Sequence, residues 1–279
     1  MEEAVAKSGL GWYPPGMNIF DSHCHLDDRT YDRDREAVIE RARQAEVRAL
    51  MVVGIDLPTT RRAVAIAEKY AHAFASVGMH PHDARHCDEK TLAELRALAD
   101  HPRVKAWGET GLDFNRMHSP QADQELWFQR QLDMAADAGL PMIFHERDSG
   151  GRFLKILKNN WGPERTGVVH CFSGSDQELD SYLELGLYIG ITGILTIHAR
   201  GEALRTQARR IPVERLLVET DAPYLTPTPE RNKFKRNEPA FVRTVLLKLA
   251  QLRGVPAESL APVIWTNTCR LFRLPEDIP

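Results

Sequence analysis

Residues 19–27 read IFDSHCHLD, an apolar start running into His23 and His25 two positions apart. Side chains alternate along an extended strand, so these two imidazoles share one face and Cys24 takes the other. The same pattern, a short apolar run ending in a metal-binding side chain, recurs four more times. It places Glu109 in VKAWGETGLD (104–113), His145 in PMIFHERD (141–148), His170 in TGVVHCFSG (166–174) and Asp221 in LLVETDAP (216–223). Parallel strands with polar residues at their C-terminal ends share one mouth, which in a (β/α)8 barrel is where chemistry is done. A doubly wound open sheet would hold the first and last of these strands too far apart to share a site, whereas a closed barrel makes them neighbours.

The rest of the chain supports that choice. Apolar, β-rich runs near 18–22, 48–54, 73–78, 103–108, 141–145, 166–170, 186–191 and 215–220 alternate with helical patterns at 32–46, 58–71, 88–100, 120–139, 150–160, 175–185 and 200–211. Two further helices, near 238–253 and 257–272, close the chain. Strands alternating with helices predict parallel βα units. The expected fold is an α/β, slightly distorted single-domain TIM barrel over residues 18–275, with residues 1–17 an N-terminal extension or cloning remnant. In the helix at 120–139, Ser119 is expected to cap, Pro120 to occupy the first turn and Gly139 to end it. Trp127, Gln131, Met134 and Ala138 are its expected inner stripe.

A length of 279 residues suits one such barrel. The longest apolar stretch, Ala49 to Ile55, is too short for a membrane span, and the acidic N-terminus does not read as a signal peptide. Four cysteines without CxxC spacing point to reduced thiols and a cytoplasmic location. A net charge of −3 argues against a protein that coats long nucleic acid, but leaves room for a nucleic-acid end as substrate. No GxSxG elbow, P-loop or HExxH helix offers a competing chemistry.

Four imidazoles and two carboxylates suffice for two divalent ions, and the mixture suits Zn, Mn, Fe, Ni or Co and tolerates Mg. Cys24 and Cys171, each next to a histidine in a strand, are expected to face away from it. Glu219 lies two before Asp221 and is expected to hold a ligand histidine from behind. His80 and His82 in GMHPH, Arg147 and Arg236 are candidate phosphate contacts, with Glu238 beside Arg236 on the rim. Asp113 and Asn115 read equally as substrate contacts or turn formers. Trp107 is expected inside the barrel beneath Glu109, and Phe114 is the better base-stacking side chain. Lys233 and Lys235 form a small basic run near the mouth.

Taken in order, IFDSHCHLD, SVGMHPHD, WGETGLDFNR, FHERDS, VVHCFSGS, IGITG, LLVETDAPYLTP and RNEPA resemble the TatD family of metal-dependent hydrolases, within the amidohydrolase-like barrels. The similarity runs from about residue 19 to residue 272. It implies that His23, His25 and Asp221 bind one metal, His145 and His170 a second, and that Glu109 bridges them. It also implies a magnesium-dependent deoxyribonuclease, a 3′–5′ exonuclease trimming single-stranded DNA or RNA ends; no obligate protein partner is evident in the sequence. Asp221 is then the residue expected to orient a metal-activated water and take its proton, and Mn or Zn could replace Mg. An ester or amide hydrolase such as an aminoacyl-tRNA deacylase, and a non-catalytic scaffold, are the alternatives.

Overall fold

The computed structural model describes residues 16–278. Eight parallel strands follow one another in a single sheet in chain order. They are β1 (Ile19–Cys24), β2 (Val47–Val52), β3 (Ala73–Val77), β4 (Val104–Asp113), β5 (Met142–Arg147), β6 (Gly167–Val169), β7 (Tyr188–Ile191) and β8 (Leu216–Val218). Between them run α1 (Arg35–Gln44), α2 (Leu57–Lys69), α3 (Glu89–Ala99), α4 (Gln121–Ala138), α5 (Arg152–Asn160), α6 (Asp176–Glu184) and α7 (Glu202–Arg210), followed by α8 (Val242–Arg253) and α9 (Ala257–Phe272). No described helix is long and apolar enough to cross a membrane.

The seam between β1 and β8 closes the barrel through the site residues themselves. Asp221 donates its backbone N–H to the His23 carbonyl at 2.9 Å, and His25 donates its own to the Ala222 carbonyl at 2.7 Å. The strand that carries two imidazoles and the loop that carries Asp221 are therefore stitched together by main chain.

Helix starts follow from local chemistry. Asp56 and Thr59 form a reciprocal capping box on α2, as do Ser175 and Glu178 on α6. Gly139 ends α4 in the left-handed region at φ 63°, which glycine adopts without a Cβ penalty. Ser119 does not cap α4: its hydroxyl donates to the His82 carbonyl at 2.7 Å and accepts the Arg85 N–H at 3.0 Å. It pins the β3 exit loop instead. The buried face of α4 is Gln124, Phe128, Gln131, Leu132 and Ala135, so the expected stripe is rotated, with Gln131 central and Trp127, Met134 and Ala138 on its flank.

Two apolar layers form. One lies between strands and helices; the other fills the lumen with Phe20, Met51, Phe74, Ile143, Tyr188 and Leu217, sealed by Trp265 and Phe272 of α9. Burying each large side chain of this plug contributes roughly 2–3 kcal/mol. The plug forces the polar residues toward the opposite end of the barrel. Trp107 belongs to the outer layer, where its Nε1 donates to Gln131 Oε1 at 3.2 Å, and not inside beneath Glu109. The β4–β5 register slips between Trp107 and Thr110, which breaks the alternation that the placement assumed. Residues 1–15 of the proposed extension lie outside the described residues, but Met17 is buried in the core and Gly16 donates to Glu46.

Candidate metal centre

Glu109 is the hub. It is 2% exposed, and five histidines approach its carboxylate. Oε1 lies 2.9 Å from His145 Nδ1, 3.3 Å from His80 Nε2 and 3.6 Å from His170 Nε2. Oε2 lies 3.4 Å from His23 Nε2 and 3.8 Å from His25 Nε2. Asp221 Oδ1 faces the same pair from the other side, 3.3 Å from His25 Nε2 and 3.8 Å from His23 Nε2. Strand ends 1, 3, 4, 5, 6 and 8 thus converge on one centre.

Among the described residues, sets of donor atoms lie within 4.8 Å of one another in four groups: His23, His25 and Asp221; His23, Glu109 and His170; His80, His82 and His145; and His170, Cys171 and Asp221. The first two have the imidazole and carboxylate chemistry expected of divalent transition-metal ligands. His145 reaches the centre through Glu109, and its ring also keeps company with His80 and His82 on the β3 exit. The expected pairing of His145 with His170 therefore runs through Oε1 of Glu109, the two ring centroids being 6.4 Å apart.

Backbone geometry aims two of these residues. Asp221 has φ 57° and Cys171 has φ 49°, both in the left-handed region that non-glycine residues seldom occupy. At Cys171 this turn ends the strand alternation, so the thiol joins the cavity wall instead of facing away. Cys24 does face away, its Sγ 3.4 Å from the Met51 carbonyl.

Charges follow from burial and company. For Glu109, burial favours the neutral acid, but the neighbouring His80, His170 and His23 together with the His145 hydrogen bond outweigh it and hold the carboxyl well below its ordinary range. His25 and His145 are each opposed by burial yet raised to about 9 by their carboxylate partners, Asp221 for the first and Asp113 with Glu109 for the second. Burial lowers His80 to about 4, so it is neutral at physiological pH.

Behind the centre, Glu219 Oε1 accepts His170 Nδ1 at 2.9 Å and the Cys171 N–H at 2.6 Å, while Oε2 accepts the Ser22 hydroxyl at 3.2 Å. Gly190 leaves the room: a Cβ there would sit 2.6 Å from both carboxylate oxygens. This bond leaves the Nε2 lone pair of His170 for the centre. Glu219→Gln is expected to weaken metal affinity by about 10–100-fold, as loss of such orienting partners usually does. Competition against a chromogenic chelator measures it.

The centre opens into a cavity of about 760 Å³. Arg147 lines it, and the acids beside it have other partners: Glu146 accepts from Ser149, and Asp148 from Asn115. His82 also lines it, bonded to Asp113 at 2.7 Å. Asp113 is a wall residue and Asn115 is an exposed turn residue. Arg236 is a correction. It pairs with Asp34 at 2.6 Å and Glu238 at 3.2 Å, donates to the Thr30 carbonyl and covers the Tyr31 ring. Glu238 is gripped by Arg41, so both members of the expected rim belong to a brace between α1 and the loop after β8. Arg236→Met is expected to leave kcat/KM unchanged while costing about 1–2 kcal/mol of stability in a denaturant titration.

Phe114 packs against the core, and Lys233 and Lys235 are exposed outside the cavity wall. Sequence reasoning missed Arg116, His118, Arg200 and Tyr224, all of which line the cavity. His118 and Arg200 sit in loops without period or motif, whereas Arg116 and Tyr224 lie within the runs WGETGLDFNR and LLVETDAPYLTP. Tyr224 had the best available signal, three residues after Asp221; it is 55% exposed and its ring meets His25 edge-on at 6.0 Å.

A (β/α)8 barrel with histidines and acids gathered at its C-terminal mouth is the arrangement of a metal-dependent hydrolase. The family profile described as TatD related DNase matches residues 20–273. The "uncharacterized metal-dependent hydrolase YabD" of Bacillus subtilis is 38% identical over 256 residues, covering 92% of this chain and 99% of the relative. The "3'-5' ssDNA/RNA exonuclease TatD" of Cronobacter sakazakii is 41% identical over 257 residues, covering 91% and 97%. The crystal structure of YjjV, a TatD homologue from Escherichia coli, superposes with a TM-score of 0.85 at 32% identity, covering 92% and 98%. The chain belongs to the TatD family of metal-dependent hydrolases.

Proposed function

We propose that this protein is a 3′–5′ exonuclease on single-stranded DNA or RNA ends, working with two divalent ions. The carrying observation is the crowd of five histidines around the single buried carboxylate of Glu109, opening into a cavity edged by arginines. His23, His25, Asp221 and Oε2 of Glu109 would hold one ion; His145, His170 and Oε1 of Glu109 the other. Magnesium fits as the working ion only with waters completing its shell, and manganese or zinc suits the imidazoles better. When bound, the ions supply positive charge that makes water more acidic and stabilises phosphoryl oxygens.

The chain's own residues do the rest. Asp221, held ionised by His25, His170 and His23 against its burial, is the proton acceptor for the attacking water. Glu219 fixes the His170 ring. Arg147, Arg116 and Arg200 at the wall meet the phosphates of the departing strand, and the exposed Tyr224 offers a face for the terminal base. The 41% identical relative from Cronobacter sakazakii, named a 3'-5' ssDNA/RNA exonuclease, supports this reading over the deacylase.

Matched substrates test it: single-stranded DNA and mischarged tRNA, each with Mg or Mn. Mononucleotide release that EDTA abolishes supports the exonuclease, whereas deacylation without nucleotide release overturns it.

A further inference from the structure

The outer edge of the His145 ring meets a second donor set. Asp113, the last residue of β4, is fixed on every side. Its Oδ1 accepts the N–H groups of Asn115 at 3.0 Å and Arg116 at 2.8 Å. The Gln124 amide holds its backbone N–H at 2.8 Å and its carbonyl at 3.1 Å. Its Oδ2 is thereby presented to His82 Nε2 at 2.7 Å and His145 Nε2 at 3.2 Å. The His80 ring packs 4.3 Å from that of His82 and 4.4 Å from that of His145, and donor atoms of the three histidines fall within 4.8 Å of one another. The exposed His118 ring stands 4.6 Å from His82 on the solvent side.

We propose that His82, His145 and Asp113, with His80 at their back, form an additional cation site for an imidazole-seeking transition metal of the zinc, cobalt or nickel class, and that filling it inhibits the enzyme. The donor set carries the choice of ion. The two imidazoles of His82 and His145 and the Asp113 carboxylate suit those metals and are a poor shell for magnesium, which prefers oxygen and keeps its waters; His80 backs them, its Nδ1 accepting the His82 N–H at 3.0 Å.

Inhibition follows from the two edges of one ring. A neutral imidazole has one lone pair, and its other nitrogen carries a proton. His145 faces a carboxylate at both edges: Glu109 at 2.9 Å from Nδ1 and Asp113 at 3.2 Å from Nε2. If Nδ1 ligates in the centre, Nε2–H donates to Asp113. If Nε2 ligates in the outer site, Nδ1–H donates to Glu109, and the centre loses a ligand. The two occupancies are antagonistic, and the antagonism is reciprocal. The His82 side chain is 31% exposed, so an ion reaches the site from the cavity without backbone movement.

The inhibition rests on the two-ion reading above; the existence of the site does not. The test titrates metal-free protein with cobalt at saturating magnesium, counting bound cobalt by equilibrium dialysis and following its visible absorption. Wild type is expected to bind one more cobalt per chain than His82→Asn. Glu109→Gln is expected to lose the central cobalt and keep the equivalent that His82→Asn lacks. With nuclease turnover as readout, His82→Asn should need at least about tenfold more zinc for half-inhibition, in the range that lost ligand-shell partners produce. Equal cobalt counts and affinities in wild type and His82→Asn overturn the site, as does loss of all cobalt in Glu109→Gln. Thermal unfolding in EDTA confirms that each variant folds, and His82→Ala replaces His82→Asn if it does not. Absence of nuclease activity in wild type would sink the exonuclease reading while leaving the cobalt count to judge the site.

Discussion

Glu109→Gln is expected to lower kcat/KM on single-stranded DNA by a factor on the order of 10³ or more at saturating manganese, with metal content falling in parallel. The substitution keeps volume and removes one negative charge from the midpoint of five imidazoles. Neither oxygen has a spare role: Oε1 faces His145, His80 and His170, while Oε2 faces His23 and His25. An amide offers one weaker oxygen and turns an N–H toward the remaining histidines, so one side of the centre meets a donor where it needs an acceptor. Among the described residues the side chain pairs with histidines and with no lysine or arginine, so the fold should survive. Paired measurements of turnover and metal content check this. Activity within about tenfold of wild type would show that the hub is dispensable and would remove the basis for a bridged pair of ions.

The hub was legible in the sequence because strand ends are. An apolar run that stops at a histidine or an acid marks the mouth end of a strand, and five such stops, carrying six residues, needed no structural knowledge to be gathered at one mouth. Glu219 followed from its spacing to Asp221. What failed depended on local departures from ideal strands. The register slip in β4 sent Trp107 outward, and the left-handed turn at Cys171 sent a thiol inward. Arg236 misled for a different reason. A basic residue after the last strand reads as a rim, and only the folded positions of Asp34 and Tyr31 show that its charge and its flat face are already taken. Asp113 could be read as a turn former because it is one, through Oδ1; its second oxygen holds two histidines, and no spacing rule separates the two roles.

Without metal, the protein is expected to lose stability as pH rises from about 6.5 to 9. His25 and His145 have folded pKa values raised from 6.5 to about 9. A raised histidine binds its proton more tightly when folded, so its contribution is complete below pH 6.5 and disappears as pH passes 9. His170 is raised as well, Glu219 and Glu109 outweighing its burial. Asp21, pushed up to about 8 by burial, acts in the same direction: its folded form favours the neutral acid, and that preference becomes a cost as pH climbs from 3.8 to 8. His80, lowered to about 4, has the opposite sense but a different window, penalising the fold only as pH falls from 6.5 through 4. A histidine raised from 6.5 to about 9 is worth roughly 3 kcal/mol, and coupling through Glu109 makes the sum smaller than the parts. The expected fall in Tm in EDTA is on the order of 10 °C across the window. Manganese should reverse the trend, because bound ligands give up these protons and apparent metal affinity rises with pH over the same range. Thermal unfolding at pH 6.5, 7.5 and 9, with EDTA and with manganese, should therefore give curves that diverge upward in pH, and His145→Gln should flatten the EDTA series. An EDTA series that is level or rising would mean that the histidines are not held protonated by Asp221, Asp113 and Glu109, and that the acids and imidazoles of this mouth are less tightly coupled than their distances require.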